Sequence, residues 1–415
     1  LSSTSDGPRG SGAGPVGIGV AGLGRAFMLT LPSLLKDARF RLAGGFDPRE
    51  EAMRAFTDAF GGGGHDSLDA MLADPAVEVV YVASPHELHA DQACAALEAG
   101  KQVLLEKPIA ESLEASRRIV ATACRTGGRV IVGPAHSFDA PVLACLDLIR
   151  SGRFGKVRLV QMTTYTDFMH RPRRPEELDS ARGGGVVFSQ GAHQVDIVRL
   201  LAGGLTQAVS ANAGNWDPER PGETAYSALL RFRGGASASL TYSGHGHYNS
   251  NELHDWIDEL GWPRAPEQAF GARHRLRQGL ASTDELALKN ARTFGFAPIP
   301  DAAPENEHFG QVIVSLDGAD IAVTPRGLTI YDDERLTTMP LPLPEGAGPR
   351  WPVLDAVWNM ARGGPPAIQD AAWGHATLAV CVGIPEAAAT DRWLPLADQV
   401  AVPDHPNLDQ PETET

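Results

Sequence analysis

From Val16 onward, short apolar runs alternate with longer amphipathic stretches. The segments "VGIGVA", "FRLAGGFD", "VEVVYVAS", "QVLLEKP" and "RVIVGPA" are nearly continuous in apolar residues. That is the pattern of parallel strands covered on both faces. Between them, "FMLTLPSLL", "PREEAMRAFTDAF", "HADQACAALEAG" and "SLEASRRIVATACRTG" repeat their apolar positions every three to four residues, as helices do. Strands spaced by helices of this length predict a doubly wound, parallel α/β domain over residues 15–135.

Beyond residue 135 the pattern changes to strict alternation. "KVRLVQMTTYTDF" begins as a strand, and "TAYSALLRFRGGASASLTYSGHG" is two alternating runs joined at Gly234-Gly235, a hairpin signal. "FGQVIVSLDGADIAVTPRGLTIYDD" continues with short strands and turn dipeptides, and "PVLDAVWNMARGG" and "DAAWGHATLAVCVGIPEAAA" are helical. A second α/β domain is therefore expected over residues 136–400. Residues 248–307 are polar and read as a helical insertion near its sheet. The Ser/Gly-rich residues 1–14 and residues 401–415 read as tails, the first disordered.

Composition narrows the function. At 415 residues, two domains are the default. A formal charge of −15 argues against general nucleic-acid binding, which depends on phosphate neutralisation. No apolar run approaches the ~20 residues needed to span a bilayer, so no membrane association is expected. The cysteines Cys94, Cys124, Cys145 and Cys381 lack metal-ligand spacing and read as small buried residues of a reducing cytoplasm. No metal is expected.

The first strand runs into Gly22-Leu23-Gly24-Arg25-Ala26-Phe27, a G-x-G-x-x-G window with phenylalanine at its third glycine position. A strand before and a helix after make it a dinucleotide turn, with the pyrophosphate at the helix N-terminus. Asp47, ending the next strand, suits the adenosine ribose hydroxyls and repels a 2′-phosphate, which favours NAD over NADP; Arg49 keeps NADP open. Ser84, Pro85, His86 and His89 follow the third strand, and Glu106, Lys107 and Pro108 end the fourth. Both places lie at carboxyl ends, where ligands bind in such sheets. Pro108 constrains the chain so that Lys107 points into the crevice.

The set "GVAGLGR", "SPHELH", "LLEKP" and "GGGVVFSQGAHQVD" resembles the Gfo/Idh/MocA oxidoreductases, over roughly residues 16–204. The resemblance implies an N-terminal Rossmann domain, a C-terminal α/β domain with an open, mostly antiparallel sheet that often makes oligomer contacts, and a nicotinamide cofactor between them. It also implies that Lys107 contacts the nicotinamide ribose and the reacting hydroxyl, and that the protein is a dimer or tetramer. The family segment G-G-x-x-x-D-x-G-x-H-x-x-D maps onto Gly184, Gly185, Gly191, His193 and Asp196, with Ser189 where the family has aspartate. In sugar and inositol enzymes that aspartate works on substrate hydroxyls, so Ser189 weakens the case for a polyol.

Independently of the resemblance, alcohol oxidation needs a base, and imidazole suits it near neutral pH. His193 is that candidate, with burial in the core as its rival, because His193, Ile197 and Leu200 share a helical face. Asp196 reads as a capping or orienting residue. Upstream, "TDFMHRPRRPEELDSARGGG" places His170, Arg171, Arg173, Arg174 and Arg182 in a proline-broken loop beside Ser189 and Gln190. Arginine forks suit carboxylates, unless Glu176, Glu177 and Asp179 neutralise them. With this loop, the chain looks most like the dehydrogenases that aromatise cis-dihydrodiols of phthalate and chlorobenzoate. The expected reaction is NAD-dependent oxidation of a carboxylated cyclic diol. The rivals are a sugar or inositol dehydrogenase and a non-catalytic nucleotide sensor.

Overall fold

The computed structural model describes residues 14–180 and 183–408. Arg182 and the outer parts of both expected tails, residues 1–13 and 409–415, lie outside the described residues.

The N-terminal unit runs β1 (Val16–Ala21), α1 (Arg25–Lys36), β2 (Phe40–Phe46), α2 (Glu50–Phe60), α3 (Leu68–Ala73), β3 (Val79–Val82), α4 (His89–Glu98), β4 (Gln102–Leu105), α5 (Leu113–Thr126) and β5 (Val130–Val132). Its five strands are all parallel in the order β2-β1-β3-β4-β5. Every residue of β1 and β3 is buried, as the unbroken apolar runs require. Strand order reverses between β1 and β3, which opens a crevice at their carboxyl ends.

The chain continues through α6 (Ala140–Arg150), β6 (Val157–Tyr165), α7 (Ala192–Leu201), β7 (Thr206–Gly214), β8 (Ala225–Phe232), β9 (Ser237–Ser243), α8 (Ala272–Leu280) and α9 (Glu285–Asn290). After these come β10 (Gln311–Leu316), β11 (Ala319–Thr324), β12 (Gly327–Asp332), β13 (Leu336–Pro340), α10 (Trp351–Ala361), α11 (Ala371–Thr390) and β14 (Leu394–Pro395). Nine strands form one open sheet, β13-β12-β11-β10-β6-β9-β8-β7-β14. Only the β6–β9 pair is parallel. Burial alternates along β8 and the second half of β6, with α7 packed on β6, α6 on β11 and β12, and α11 on β7.

Sequence order and spatial order part company at α10. It follows the second sheet in the chain, yet Val353, Leu354, Val357 and Met360 complete the core of the first domain with Val16, Ile18 and Tyr81. The linear boundary at residue 135 therefore misses a helix that the N-terminal sheet needs to cover one face. Residues 401–408 are also not a tail. Val402, His405 and Asn407 are buried, and the Asn407 amide exchanges hydrogen bonds with the backbone of Val157. Cys124 is exposed, while the other three cysteines are buried as expected.

α11 is apolar almost all round because it lies between the domains, against β5 and α5 on one side and β7 and α7 on the other. Gly374 permits the approach, since a Cβ there would stand 2.6 Å from Val132. A buried polar pin holds α7 to this helix. The Asp196 carboxylate accepts from Trp373 Nε1 and Thr377 Oγ1. Arg199 donates to Thr377 Oγ1 and the Trp373 carbonyl, and lies 3.9 Å over the Trp373 ring. Asp196 thus neither caps α7 nor orients His193; it anchors the helix that carries it. Replacing Asp196 with Ala leaves the buried Trp373 Nε1 without its acceptor and lowers stability by about 2 kcal/mol or more. Denaturant unfolding checks this, and a loss below ~1 kcal/mol contradicts the anchoring role.

Candidate active site

The crevice beyond β1, β3 and β4 is also lined by residues of the second domain and the insertion. Gly22 makes the first turn with φ +98° and packs against Ser84. At Gly24 there is open space where a Cβ would stand, the nearest atom being 4.0 Å away, so the backbone can approach a pyrophosphate at the start of α1. Leu23, Arg25 and Ala26 flank this opening, and Arg25 and Ala26 line the cleft with Ser84, His86, Glu106 and Lys107. These residues fit a dinucleotide.

Phe27 explains its own departure from the glycine pattern. It is buried and meets Phe294 of the insertion edge-on, with ring centroids 5.4 Å apart. Phe294 also contacts Phe56 and Phe60, and its backbone N–H donates to the Leu23 carbonyl. The insertion is thus not simply near the second sheet. It is fastened to the glycine turn.

Asp47 lies where a ribose-binding carboxylate is expected, but its oxygens are already engaged. They accept from Leu23 N, Arg49 N, Arg49 Nε and Arg49 Nη2. Burial opposes the charge, yet these donors, Arg49 first, hold the carboxyl below its usual range. His89 is a correction. It is fully buried, with its ring nitrogens against the Pro108 and Ser84 carbonyls, and braces two strand ends instead of facing the cleft. Pro85 likewise begins a short turn behind His86.

Lys107 and His193 come together from the two domains. The Lys107–Pro108 peptide is cis, and Lys107 Nζ donates to the Ser189 carbonyl at 2.8 Å. That carbonyl belongs to a wide π-type turn, Val187–Gly191, that leads into α7. His193 follows one residue into the helix. Its ring packs 4.6 Å from the His136 ring and 4.7 Å from Phe309, with Nδ1 buried and without a hydrogen-bond partner among the described residues. Burial, then the positive charges of Lys107, His136 and Arg350, hold His193 well below the usual histidine range. At His136 burial also disfavours charge, but Asp139, bonded to Nδ1 at 2.8 Å, outweighs it and raises that imidazole. One imidazole of the pair is kept neutral and the other favours its proton.

A polar network floors the cleft. Tyr81 OH donates to Glu106, Thr30 lies 3.0 Å from Tyr81 OH, and Arg350 bonds Thr30 and Glu307. His136, Phe309, Glu307, Arg350, Glu259, Lys289 and Arg292 all line the cleft and were not read from the sequence. Most come from the insertion or from later segments, with no local motif to mark them.

The arginine loop separates into distinct roles. Arg171 is paired with Asp167 and Glu259, and Arg174 with Glu176 and Glu177, so neutralisation holds for both. Among the described residues Arg173 has no carboxylate partner within ion-pair distance. It stacks 3.4 Å over Phe168, donates to the Phe168 carbonyl and lines the cleft. Burial, then Arg171 and Arg292, lowers its pKa to about 10, although Glu177 opposes them. Gln190 lines the cleft too, while Ser189 contributes its carbonyl. His170 points away, toward Asp217 and His245.

A dinucleotide crevice joined to a buried imidazole and a lysine fits an NAD(P)-dependent dehydrogenase. Residues 16–134 match the oxidoreductase family with an NAD-binding Rossmann fold, and residues 142–257 the GFO/IDH/MocA C-terminal domain. The chain belongs to the Gfo/Idh/MocA oxidoreductase family. It is 41% identical over 374 residues to the 1-carboxy-3-chloro-3,4-dihydroxycyclohexa-1,5-diene dehydrogenase of Comamonas testosteroni, covering 89% of this chain and 94% of that protein. Inositol 2-dehydrogenase 2 of Saccharopolyspora erythraea is 33% identical over 50% of this chain and 58% of its own. A solved structure from Bordetella bronchiseptica RB50 superposes with a TM-score of 0.87 at 33% identity, covering 92% of this chain and all of that one. The WlbA dehydrogenase from Bordetella pertussis, solved with NADH and UDP-GlcNAcA, shares the fold at a TM-score of 0.62 and 22% identity, covering 92% of this chain and 99% of its own. Among the described residues no helix is long and apolar enough to cross a membrane.

The depressed basicity of His193 has a direct readout. NMR titration of the histidine rings finds His193 neutral at about pH 6, where a solvent-exposed imidazole is mostly charged. Lys107→Met moves its midpoint upward. A midpoint near ~6.5 in the unaltered protein contradicts the electrostatics described. The same depression has a stability consequence. Above about pH 6.5 the contribution is fully present, and it is lost as pH falls toward the native midpoint, because the unfolded imidazole binds a proton that the native one refuses.

Proposed function

We propose that this dehydrogenase oxidises a carboxylated cyclic cis-diol of the dihydroxycyclohexadiene type with NAD, yielding a catechol-like acid. The observation that carries the reading is Arg173, a cation on the cleft wall without a carboxylate partner among the described residues. Its guanidinium plane suits a carboxylate, and Phe168 beneath it keeps that plane fixed. The name of the Comamonas relative, a carboxylated cyclohexadiene diol dehydrogenase, supports the same class.

In this reading His193 takes the hydroxyl proton as the carbon–hydrogen bond breaks. Nicotinamide, when bound, accepts the hydride. Lys107 stabilises negative charge growing on the alcohol oxygen, its own ammonium kept in place by the Ser189 carbonyl. Ser189, without the second carboxylate of polyol enzymes, suffices because the ketone formed enolises to an aromatic ring. Asp47 serves the adenosine ribose once Arg49 turns aside, which favours NAD over NADP.

Two substitutions test the assignment. His193→Ala lowers kcat ~100-fold or more while NAD affinity is kept; turnover near that of the unaltered enzyme removes it as the base. Arg173→Met raises KM for the acid diol by about tenfold or more and leaves a neutral cyclic diol unaffected. Arg174→Met, already paired to acids, changes neither. Equal effects of both arginines on both substrates contradict the carboxylate site.

A further inference from the structure

We propose that His170, Asp217 and His245 form a binding site for a transition-series divalent cation such as Zn²⁺, at the outer end of the arginine loop. His170 closes the turn Phe168–His170, Asp217 lies just beyond β7, and His245 lies just beyond β9. Three segments distant in sequence therefore bring one donor atom each to one place, and these atoms all lie within 4.8 Å of one another.

The histidines are arranged as ligands lacking a partner. His170 is 5% exposed, and its Nε2 is buried with no hydrogen-bond partner among the described residues. That nitrogen stands 3.7 Å from Asp217 Oδ2, too far for a hydrogen bond. His245 Nδ1 is likewise buried and unpartnered. A tetrahedral shell with metal–nitrogen bonds of ~2.05 Å sets ligand atoms about 3.3 Å apart, so a small contraction closes the site. Asp217 is already oriented for it. Its Oδ1 accepts from Glu219 N, fixing the carboxylate and leaving Oδ2 toward His170.

The surrounding charges select the ion. Arg273 donates to the His245 and Gly246 carbonyls, and its charge opposes a cation held by electrostatics alone. Arg220 is the other nearby cation and is paired with Glu285. Mg²⁺ and Ca²⁺, which want oxygen ligands, are disfavoured, whereas an ion that bonds imidazole nitrogen is accepted. A fourth position remains for water.

An ion there fastens the turn before Arg173 to the ends of β7 and β9. Arg173 donates to the Phe168 carbonyl in that same turn, so its placement depends on this anchor. The consequence for substrate rests on the function proposed above; the binding itself does not.

Isothermal titration of the untagged, EDTA-dialysed full-length protein with ZnCl₂ tests the site. The expected result is one ion per chain, a rise in Tm with Zn²⁺ that EDTA reverses, and no response to Mg²⁺ or Ca²⁺. Co²⁺ gives the visible bands of a tetrahedral nitrogen and oxygen shell. His170→Ala and Asp217→Asn each weaken binding at least tenfold while circular dichroism is unchanged. Absence of Zn²⁺ binding by the unaltered protein overturns the proposal, as does binding that survives both substitutions. If a variant fails to fold, the Co²⁺ spectrum of the unaltered chain decides, since a shell without imidazole nitrogen contradicts the assignment. Zn²⁺ binding without any change in KM for the acid diol leaves the site intact and removes only its link to Arg173.

Discussion

A lysine ammonium placed at the boundary of two domains sets the chemistry around it. Lys107 arrives from the parallel sheet, and its one hydrogen-bond acceptor among the described residues is a carbonyl of the turn that begins α7. The domains must meet in register for that bond to form. Once it forms, burial and then the positive charge beside His193 hold the imidazole well below the usual histidine range. The same contact thus aligns the two halves and places a neutral imidazole beside the lysine. α11, wedged between the domains and pinned to α7 through Asp196 and Arg199, makes the alignment rigid.

Much of this was legible in sequence because it is local. The glycine turn, the strand ends and the hairpin at Gly234-Gly235 depend on neighbours in the chain, and all form as expected. What sequence did not reveal depends on tertiary pairing. Arg171, Arg173 and Arg174 look alike in a string of letters, yet Glu259 from the insertion helps neutralise Arg171, the local Glu176 and Glu177 hold Arg174, and Arg173 is left on the cleft wall. His89 resembled a cleft residue by position, and two carbonyls claim it instead. His136, Glu307 and Arg350 belong to one polar network but come from three distant segments. α10 returns to the first domain long after its last strand, so no linear boundary could include it.

The insertion ties these observations together. Its Phe294 packs edge-on against Phe27, while its Lys289 and Arg292 reach the cleft. One segment is therefore fastened to the nucleotide turn and lines the substrate side. Glu285 at its helix α9 also pairs with Arg220 and accepts from the Arg173 backbone, joining it to the arginine loop. Positive charge in the cleft is consequently greater than the loop alone supplies, in a chain of net charge −15. That local excess over an acidic background suits an anionic substrate.

The central claim is that the cleft selects a carboxylated cyclic diol. NADH formation, followed spectrophotometrically with purified enzyme and NAD, tests it most directly when a benzoate- or phthalate-type cis-dihydrodiol is compared with its uncharged analogue and with inositols. The account predicts the highest kcat/KM for the carboxylated diol and a clear loss when the carboxylate is absent. Faster oxidation of an inositol or of the uncharged diol would contradict it.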